Sequence, residues 1–319
     1  MNLKKPTRRV LTRYEGNPVL TARDFPFLMR AVYNSSAVKA RHENPRAAYV
    51  MITRCNQLNH RTLLWAADSE DGLHWQMREM PYDMPESDDW KFVTADVYYD
   101  PRIQWIDGEY KVLVACSGNG YCRVACFTSA DLESLTFSHW MNHLDGRNMV
   151  LFPEKSEDGR YMRLDRPNLA SKAGKGDIWL AYSPDLVHWG DARLVLQSAD
   201  VMLIAYHGLG PSTNPIRVDE GWLILFHTIM SNCSTTEYAV AAAILDERQP
   251  WKVKHITEHP VLWPEADYEL TGLVEHVCFP CSMIVEDDGA VKLYYGAADH
   301  VQCVALGKLD DLVYACKHW

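Results

Sequence analysis

The 319-residue sequence predicts an all-β chain, one domain spanning residues 1–319 and folded as a five-bladed β-propeller, and three observations carry that prediction. First, an apolar strand followed by a Ser-x-Asp turn and an aromatic, Leu63 to Trp75, recurs almost intact from Ile178 to Trp189. Second, weaker copies run through Asp131, Asp246 and Asp310, so the aspartates at 71, 131, 185, 246 and 310 stand about 55–65 residues apart, one four-stranded blade plus loops. Third, the intervals hold short apolar strands such as Ala48–Ile52 and Trp222–Phe226, punctuated by Asp-Gly, Glu-Gly and Pro turns. The five copies fill the chain from about residue 40 to its end, with residues 1–15 as an N-terminal arm. Blades around a central channel leave only short, protected edges, which suits a chain of this length.

Composition narrows the partners. There are 42 acidic against 32 basic residues, a net charge of −10, and the basic residues cluster only at Lys4-Lys5 and Arg8-Arg9, which argues against a nucleic-acid groove. The basic N-terminus is not followed by an apolar stretch, and no run reaches the roughly 18 apolar residues of a membrane span. A cytoplasmic protein with no membrane partner is expected. Nine cysteines, an odd number in strand-like contexts, read as reduced core thiols. Cys278-Phe279-Pro280-Cys281 has C-x-x-C spacing, but no second pair stands at ligand spacing, so burial is the expectation. Gly174-Lys175-Gly176-Asp177 lacks the full phosphate-loop pattern and reads as a turn before a strand. Thirteen histidines include no His-x-x-x-His or His-Glu-x-x-His pair, and His74 and His188 recur at blade turns as structural residues, so no metal is expected.

Polar residues then interrupt the apolar strands where inner strands of a propeller face the channel. Asp100-Pro101-Arg102 is the sharpest case, because a carboxylate and a guanidinium in a buried strand are costly unless partnered or used. The others are Asn34-Ser35, Arg54, Arg147, Asp165-Arg166, His227 and Asp299. Drawn from successive blades, they converge on one site.

The strings Gly16-Asn17-Pro18-Val19-Leu20, Tyr99-Asp100-Pro101-Arg102, Val150-Leu151-Phe152-Pro153-Glu154-Lys155, Asp185 to Gly190, Phe279-Pro280-Cys281 and Tyr294-Tyr295-Gly296-Ala297-Ala298-Asp299 resemble glycoside hydrolase family 130, β-mannoside phosphorylases with some β-mannosidases. The resemblance runs in order over nearly the whole chain. It implies the same five-bladed propeller and an inverting enzyme that cleaves a β-mannosidic bond with inorganic phosphate, giving α-mannose 1-phosphate. It implies Asp100 as the catalytic acid, working through the mannosyl 3-hydroxyl, since a glycosidic oxygen leaves poorly until protonated. Phosphate is then the nucleophile and co-substrate, and no other cofactor is implied. Forked guanidiniums suit its oxygens, and Arg147, Arg166 and His227 match the phosphate-contact positions. Asn34, Ser35, Arg54, Tyr99 and Asp299 match positions around the mannosyl unit, with Arg61 beside them. Acceptor contacts are expected from the loops Asn56–Arg61 and Ser117–Tyr121, with Asn119 and Tyr121 as hydroxyl partners. The N-terminal arm could pack on a neighbouring subunit, giving a homo-oligomer.

One departure stands out. Where the phosphorylases usually read Lys-Ile-Gly-x-Gly-Pro, this chain reads Tyr206-His207-Gly208-Leu209-Gly210-Pro211, which takes a unit charge from the anion site. His207 or the Tyr206 hydroxyl could replace the lost donor. Two other readings stay open: an inverting hydrolase with Glu275 as base, and a non-catalytic oligosaccharide-binding propeller using Trp65, Trp90 and Trp105 as stacking platforms. Phosphorolysis is favoured, because a water nucleophile has no evident use for Arg147, Arg166 and His227 together.

Overall fold

The computed structural model describes residues 9–41, 46–85, 90, 97–118, 120–142, 145–168, 176–231 and 234–319. Strand β1 (Leu11–Arg13) comes first in the chain but joins the last sheet. Blade I is β2 (Ala31–Lys39), β3 (Tyr49–Asn56), β4 (Thr62–Ser69) and β5 (Gln76–Met77). Blade II follows with β6 (Tyr98–Ile106), β7 (Glu109–Gly118), β8 (Tyr121–Ser129) and β9 (Thr136–Trp140). Blade III is β10 (Gly146–Leu151), β11 (Tyr161–Pro167), β12 (Ile178–Ser183) and β13 (Gly190–Leu196). Blade IV has β14 (Gly208–Pro211), β16 (Gly221–Ser231), β17 (Thr236–Leu245) and β18 (Val253–Ile256), and β15 (Ile216–Val218) pairs with β16. Blade V is β19 (Cys278–Val285), β20 (Ala290–Ala297) and β21 (Val301–Lys308), with β1 as its fourth strand. This is the five-bladed propeller the repeat predicts.

Each sheet is apolar on both faces, so the core is a set of wedges between neighbouring blades. Val50, Ile52 and Leu64 of blade I meet Val112, Val114 and Phe127 of blade II. Leu164, Leu180 and Ile178 of blade III meet Trp222, Ile224 and Phe226 of blade IV. Each fully buried aliphatic or aromatic side chain contributes about 1.5–3 kcal/mol. The repeated aspartates turn out to be turn caps: Asp71 Oδ1 accepts from the backbone N–H of Leu73 and His74, Asp185 Oδ1 from those of Val187 and His188, and Asp246 Oδ1 from those of Arg248 and Gln249. The exposed rings of His74 and His188 bond the second oxygens of the same aspartates at 2.7 Å, which fits their structural reading. The fifth copy differs, because Asp310 lies in the first turn of the C-terminal helix (Leu309–His318).

The blades begin earlier than the repeat suggests, at Ala31. Part of the segment expected as a free arm, Leu11–Arg13, is strand β1, paired with β21 from Leu11↔Gly307 to Arg13↔Ala305. Residues 1–8 of that arm lie outside the described residues, as do Asn119 and Gly174-Lys175. The eight described cysteines are buried and free. Cys278 packs in the wedge between blades IV and V while Cys281 belongs to a separate cluster with Val277 and Phe279, so the C-x-x-C spacing brings no shared ligand site. Trp65 and Trp90 are buried in the wedges and Trp105 packs edge-on against Tyr110, so these aromatics are core rather than sugar platforms. No described helix is long and apolar enough to cross a membrane.

Closure of the ring depends on β1. Arg13 clasps Glu269 with two hydrogen bonds of 2.8 and 2.7 Å, and Glu269, fully buried, also accepts from the Tyr295 hydroxyl at 2.7 Å. Removing one member of a buried pair strands the other charge, so Arg13→Ala should destabilise the fold by about 3 kcal/mol. Urea denaturation checks this, and a loss below about 1 kcal/mol would show that β1 is not the clasp.

Candidate active site

Three inner strands carry the same irregularity. The β2–β3 register breaks between Tyr33 and Ser36, β6–β7 between Tyr99 and Arg102, and β10–β11 between Arg147 and Val150. At each break stands a left-handed residue: Asn34 at φ +50°, Asp100 at +53° and Asn148 at +57°. Asparagine and aspartate tolerate this conformation best among residues with a side chain, and a bulge turns the extra residue out of the ladder. Here the bulges aim their side chains into the channel. Asp299 arrives differently, from the turn between β20 and β21, where both Ala298 and Asp299 have positive φ, as a tight hairpin requires.

These residues line a cavity of about 360 Å³ together with Arg54, Tyr99, Arg147, Arg166 and His227. On one side, Asp100 Oδ1 accepts from Asn34 Nδ2 at 2.9 Å and from Arg54 Nη1 at 3.3 Å. Among the described residues nothing is hydrogen-bonded to its Oδ2. Arg54 is clamped between aromatic rings, 4.5 Å from Tyr33 and 5.2 Å from Tyr99, whose hydroxyl bonds Ser117 at 2.7 Å. Burial pushes the Asp299 carboxyl up to about 6, with Arg54 opposing and the Asp100 charge adding to the rise.

The opposite side is cationic. Arg147 and Arg166 face each other directly across the β10–β11 pair, and among the described residues neither has a carboxylate partner. Burial first, and Arg147 second, pull the Arg166 guanidinium down to about 10. Asp165, its sequence neighbour, is instead paired with Arg163 at 3.0 Å. His227 is fully buried, and burial together with Arg166, Arg102 and Arg147 holds its ring well below the usual histidine range. It is therefore a neutral imidazole: Nε2 accepts from Arg166 Nη1 at 3.4 Å, which leaves Nδ1–H to donate to Ser212 Oγ at 3.0 Å. The expected cationic contact is a neutral prop for one. Gly210 makes room for this packing, since a Cβ there would lie 2.8 Å from the His227 ring and 3.0 Å from Arg166 Cδ. Gly296 does the same for Asn34, whose Oδ1 would lie 1.9 Å from an added Cβ.

Several buried atoms of the lining have no hydrogen-bond partner: Asn34 Oδ1, Arg54 Nε, Arg147 Nε, Asn148 Oδ1 and Arg166 Nε. Such atoms cost about 1–3 kcal/mol each, and because the two amide oxygens seek donors and the three guanidinium nitrogens seek acceptors, a cavity that collects them suits a polar guest carrying both. Two expected residues fall outside the lining: Ser35 is fully buried behind it, its N–H bonded to Gln302 Oε1 at 3.0 Å, and Arg61 is exposed on the β3–β4 loop. Tyr206 and Glu275 are exposed and do not line it, and His207 is turned to the backbone N–H of Ser231 at 2.8 Å. Sequence reasoning missed Val97, Asn148, Tyr238, Val274, Val277 and Phe279 as lining residues, while Ser117 begins one of the loops expected on the acceptor side. Asn148 had a signal: an asparagine breaking an apolar inner strand, as Asn34 does.

The model of a family described as beta-1,4-mannooligosaccharide phosphorylase matches residues 3–318. A "Beta-1,4-mannooligosaccharide phosphorylase" of Ruminococcus albus is 30% identical over 309 residues, 95% of this chain and 90% of that protein. A "Beta-1,2-mannobiose phosphorylase" of Listeria innocua is 34% identical over 250 residues, covering 78% of this chain and 67% of that protein. The solved structure of a Listeria innocua beta-1,2-mannobiose phosphorylase with beta-1,2-mannobiose superposes with a TM-score of 0.83 at 25% identity, covering 96% of this chain and 99% of that one.

The raised Asp299 carboxyl bears on stability. Unfolded, it ionises near 4; folded, it keeps its proton to about pH 6, so this group favours the fold below about pH 4 and that contribution is lost as pH rises through 6. Asp299→Asn, which stays neutral, should be more stable than the natural protein at pH 7 by on the order of 2 kcal/mol, with the gap closing toward pH 4. Urea denaturation at both pH values reads this; an equal gap at both would contradict a buried, protonated carboxyl.

Proposed function

The chain belongs to glycoside hydrolase family 130, and from that premise we propose that it is an inverting phosphorylase that cleaves a β-mannosidic bond with inorganic phosphate and releases α-mannose 1-phosphate. The carrying observation is the pair of guanidiniums, buried Arg166 and half-buried Arg147, neither ion-paired to a carboxylate among the described residues, in one cavity with Asp100. A phosphate dianion there gains forked, charge-assisted hydrogen bonds and relieves the repulsion between the two cations.

Asp100 is the acid in this reading. Its Oδ1 is occupied by Asn34 and Arg54, so Oδ2 is the oxygen that carries the proton. The proton passes to the glycosidic oxygen by way of the mannosyl 3-hydroxyl as the C1–O bond breaks. A phosphate oxygen bonds to C1 from the opposite face, inverting β to α, and Asp100 is left ionised until it takes a proton from phosphate or solvent. Asn34, Arg54, Tyr99 and Asp299 hold the mannosyl unit, and below about pH 6 Asp299 can donate to a hydroxyl as well as accept.

The hydrolytic reading needs a second carboxylate about 6.5–9.5 Å from the acid to activate water. Glu275 is exposed and off the lining, and Asp299 shares Arg54's charge with Asp100, which weakens that reading. Absence of the expected lysine at Tyr206 is met by Arg147 and Arg166 alone. Linkage and acceptor sugar belong to the rim loops, and a cytoplasmic enzyme suits intracellular inorganic phosphate as the mannosyl acceptor.

Incubation of β-1,4- and β-1,2-mannobiose with and without phosphate, with direct assay of mannose 1-phosphate, tests the proposal. Mannose 1-phosphate should appear only with phosphate, and Asp100→Asn should lower its rate by about 10³-fold or more. Arg166→Ala should raise the KM for phosphate by at least about tenfold while the KM for mannoside moves little. Free mannose released at the same rate without phosphate would replace the phosphorylase with a hydrolase.

A further inference from the structure

Arg102 lies outside the cavity lining and is 2% exposed, yet its guanidinium bonds two blades. Nη1 donates to the backbone carbonyl of Asp100 at 2.7 Å, and Nε donates to the backbone carbonyl of Ser212, just beyond β14, at 2.9 Å. The Ser212 hydroxyl is the group that meets His227 Nδ1, and His227 Nε2 is the acceptor for Arg166. A string of buried contacts thus runs Asp100–Arg102–Ser212–His227–Arg166, from blade II through blade IV to blade III.

We propose that Arg102 is a positioning residue which, through Ser212 and His227, sets the acid Asp100 and the anion-binding Arg166 as one unit. The inference rests on the phosphorolytic reading for what Arg166 binds. A space-filling role does not explain the geometry. The guanidinium sits 5.8 Å from the Phe279 ring centre, its Nη2 is buried without a partner, and among the described residues it has no carboxylate, so an apolar side chain would fill the volume at lower cost. What an apolar residue cannot do is hold two carbonyls at once. The first of these belongs to a bulged, left-handed residue whose carbonyl has left the strand ladder, and its fixation fixes the carboxylate one side chain away. The second fixes the segment whose hydroxyl orients His227.

Two variants separate this from a bulk structural effect. Lysine offers a point charge rather than a fork, so Arg102→Lys should lower kcat by about 10²-fold and weaken phosphate binding by about tenfold, although it touches neither substrate. Ser212→Ala keeps the carbonyl that Arg102 holds and removes only the link to His227. It should weaken phosphate binding several-fold, read by calorimetric titration of inorganic phosphate, and leave the KM for mannoside unchanged. The double variant should lose no more phosphate affinity than Arg102→Lys alone, as expected for two members of one string. If Arg102→Lys does not fold, Ser212→Ala alone carries the test. Natural protein that binds no phosphate overturns the phosphorolytic reading and this inference together. Natural protein that binds phosphate while Ser212→Ala binds it equally, or a double variant whose losses multiply, overturns the inference alone.

Discussion

Two like charges facing each other across a buried strand pair are the constraint around which the rest of the channel is arranged. Arg147 and Arg166 are opposite neighbours in the β10–β11 ladder, and neither is ion-paired to a described carboxylate, although the charges of Asp145 and Asp100 act on Arg147. Burying an ion unpaired costs several kcal/mol even after relaxation, a sizeable part of the roughly 5–15 kcal/mol by which a domain is stable. The surrounding wedges of Val, Ile, Leu and aromatic residues supply that margin, and a neutral His227 takes one guanidinium hydrogen bond without adding a third charge.

The propeller suits this task because its inner strands bring residues far apart in sequence to one axis while the wedges hold each strand in place. Asn34, Asp100 and Asn148 come from three blades, yet each sits at the same kind of register break and turns the same way. The Asp100 carboxyl and the facing arginines Arg147 and Arg166 then belong to different blades, so their separation depends on how the blades are tied. Arg102 is such a tie, as is the clasp of Arg13 on Glu269 that joins the first strand of the chain to the last blade.

Much of this was legible in the sequence, for physical reasons that also mark where legibility stopped. The Ser-x-Asp turn is a local hydrogen-bonding device that recurs at Asp71, Asp131 and Asp185, and the spacing of the weaker copies announced five blades although Asp310 itself lies in the C-terminal helix. Polar residues in apolar strands announced the channel. The role of His227 was not readable, because its neutrality comes from burial and from three arginines distant in sequence. Arg61 was expected beside the mannosyl positions, but it lies exposed on the β3–β4 loop, off the cavity lining. Tyr206 seemed to stand in the anion site, whereas it caps a short helix (Met202–Ala205) and stays exposed. Arg102 shares a motif with Asp100 but points behind it, a distinction set by the bulge between them.

The most direct measurement is a crystal structure grown with inorganic phosphate. The account predicts a tetrahedral anion bound by both Arg147 and Arg166, on the side of the cavity facing Asp100, with Asp100 Oδ1 still held by Asn34 and Arg54. An arginine pair that instead closes onto a carboxylate of the chain, with no anion at saturating phosphate, would contradict it.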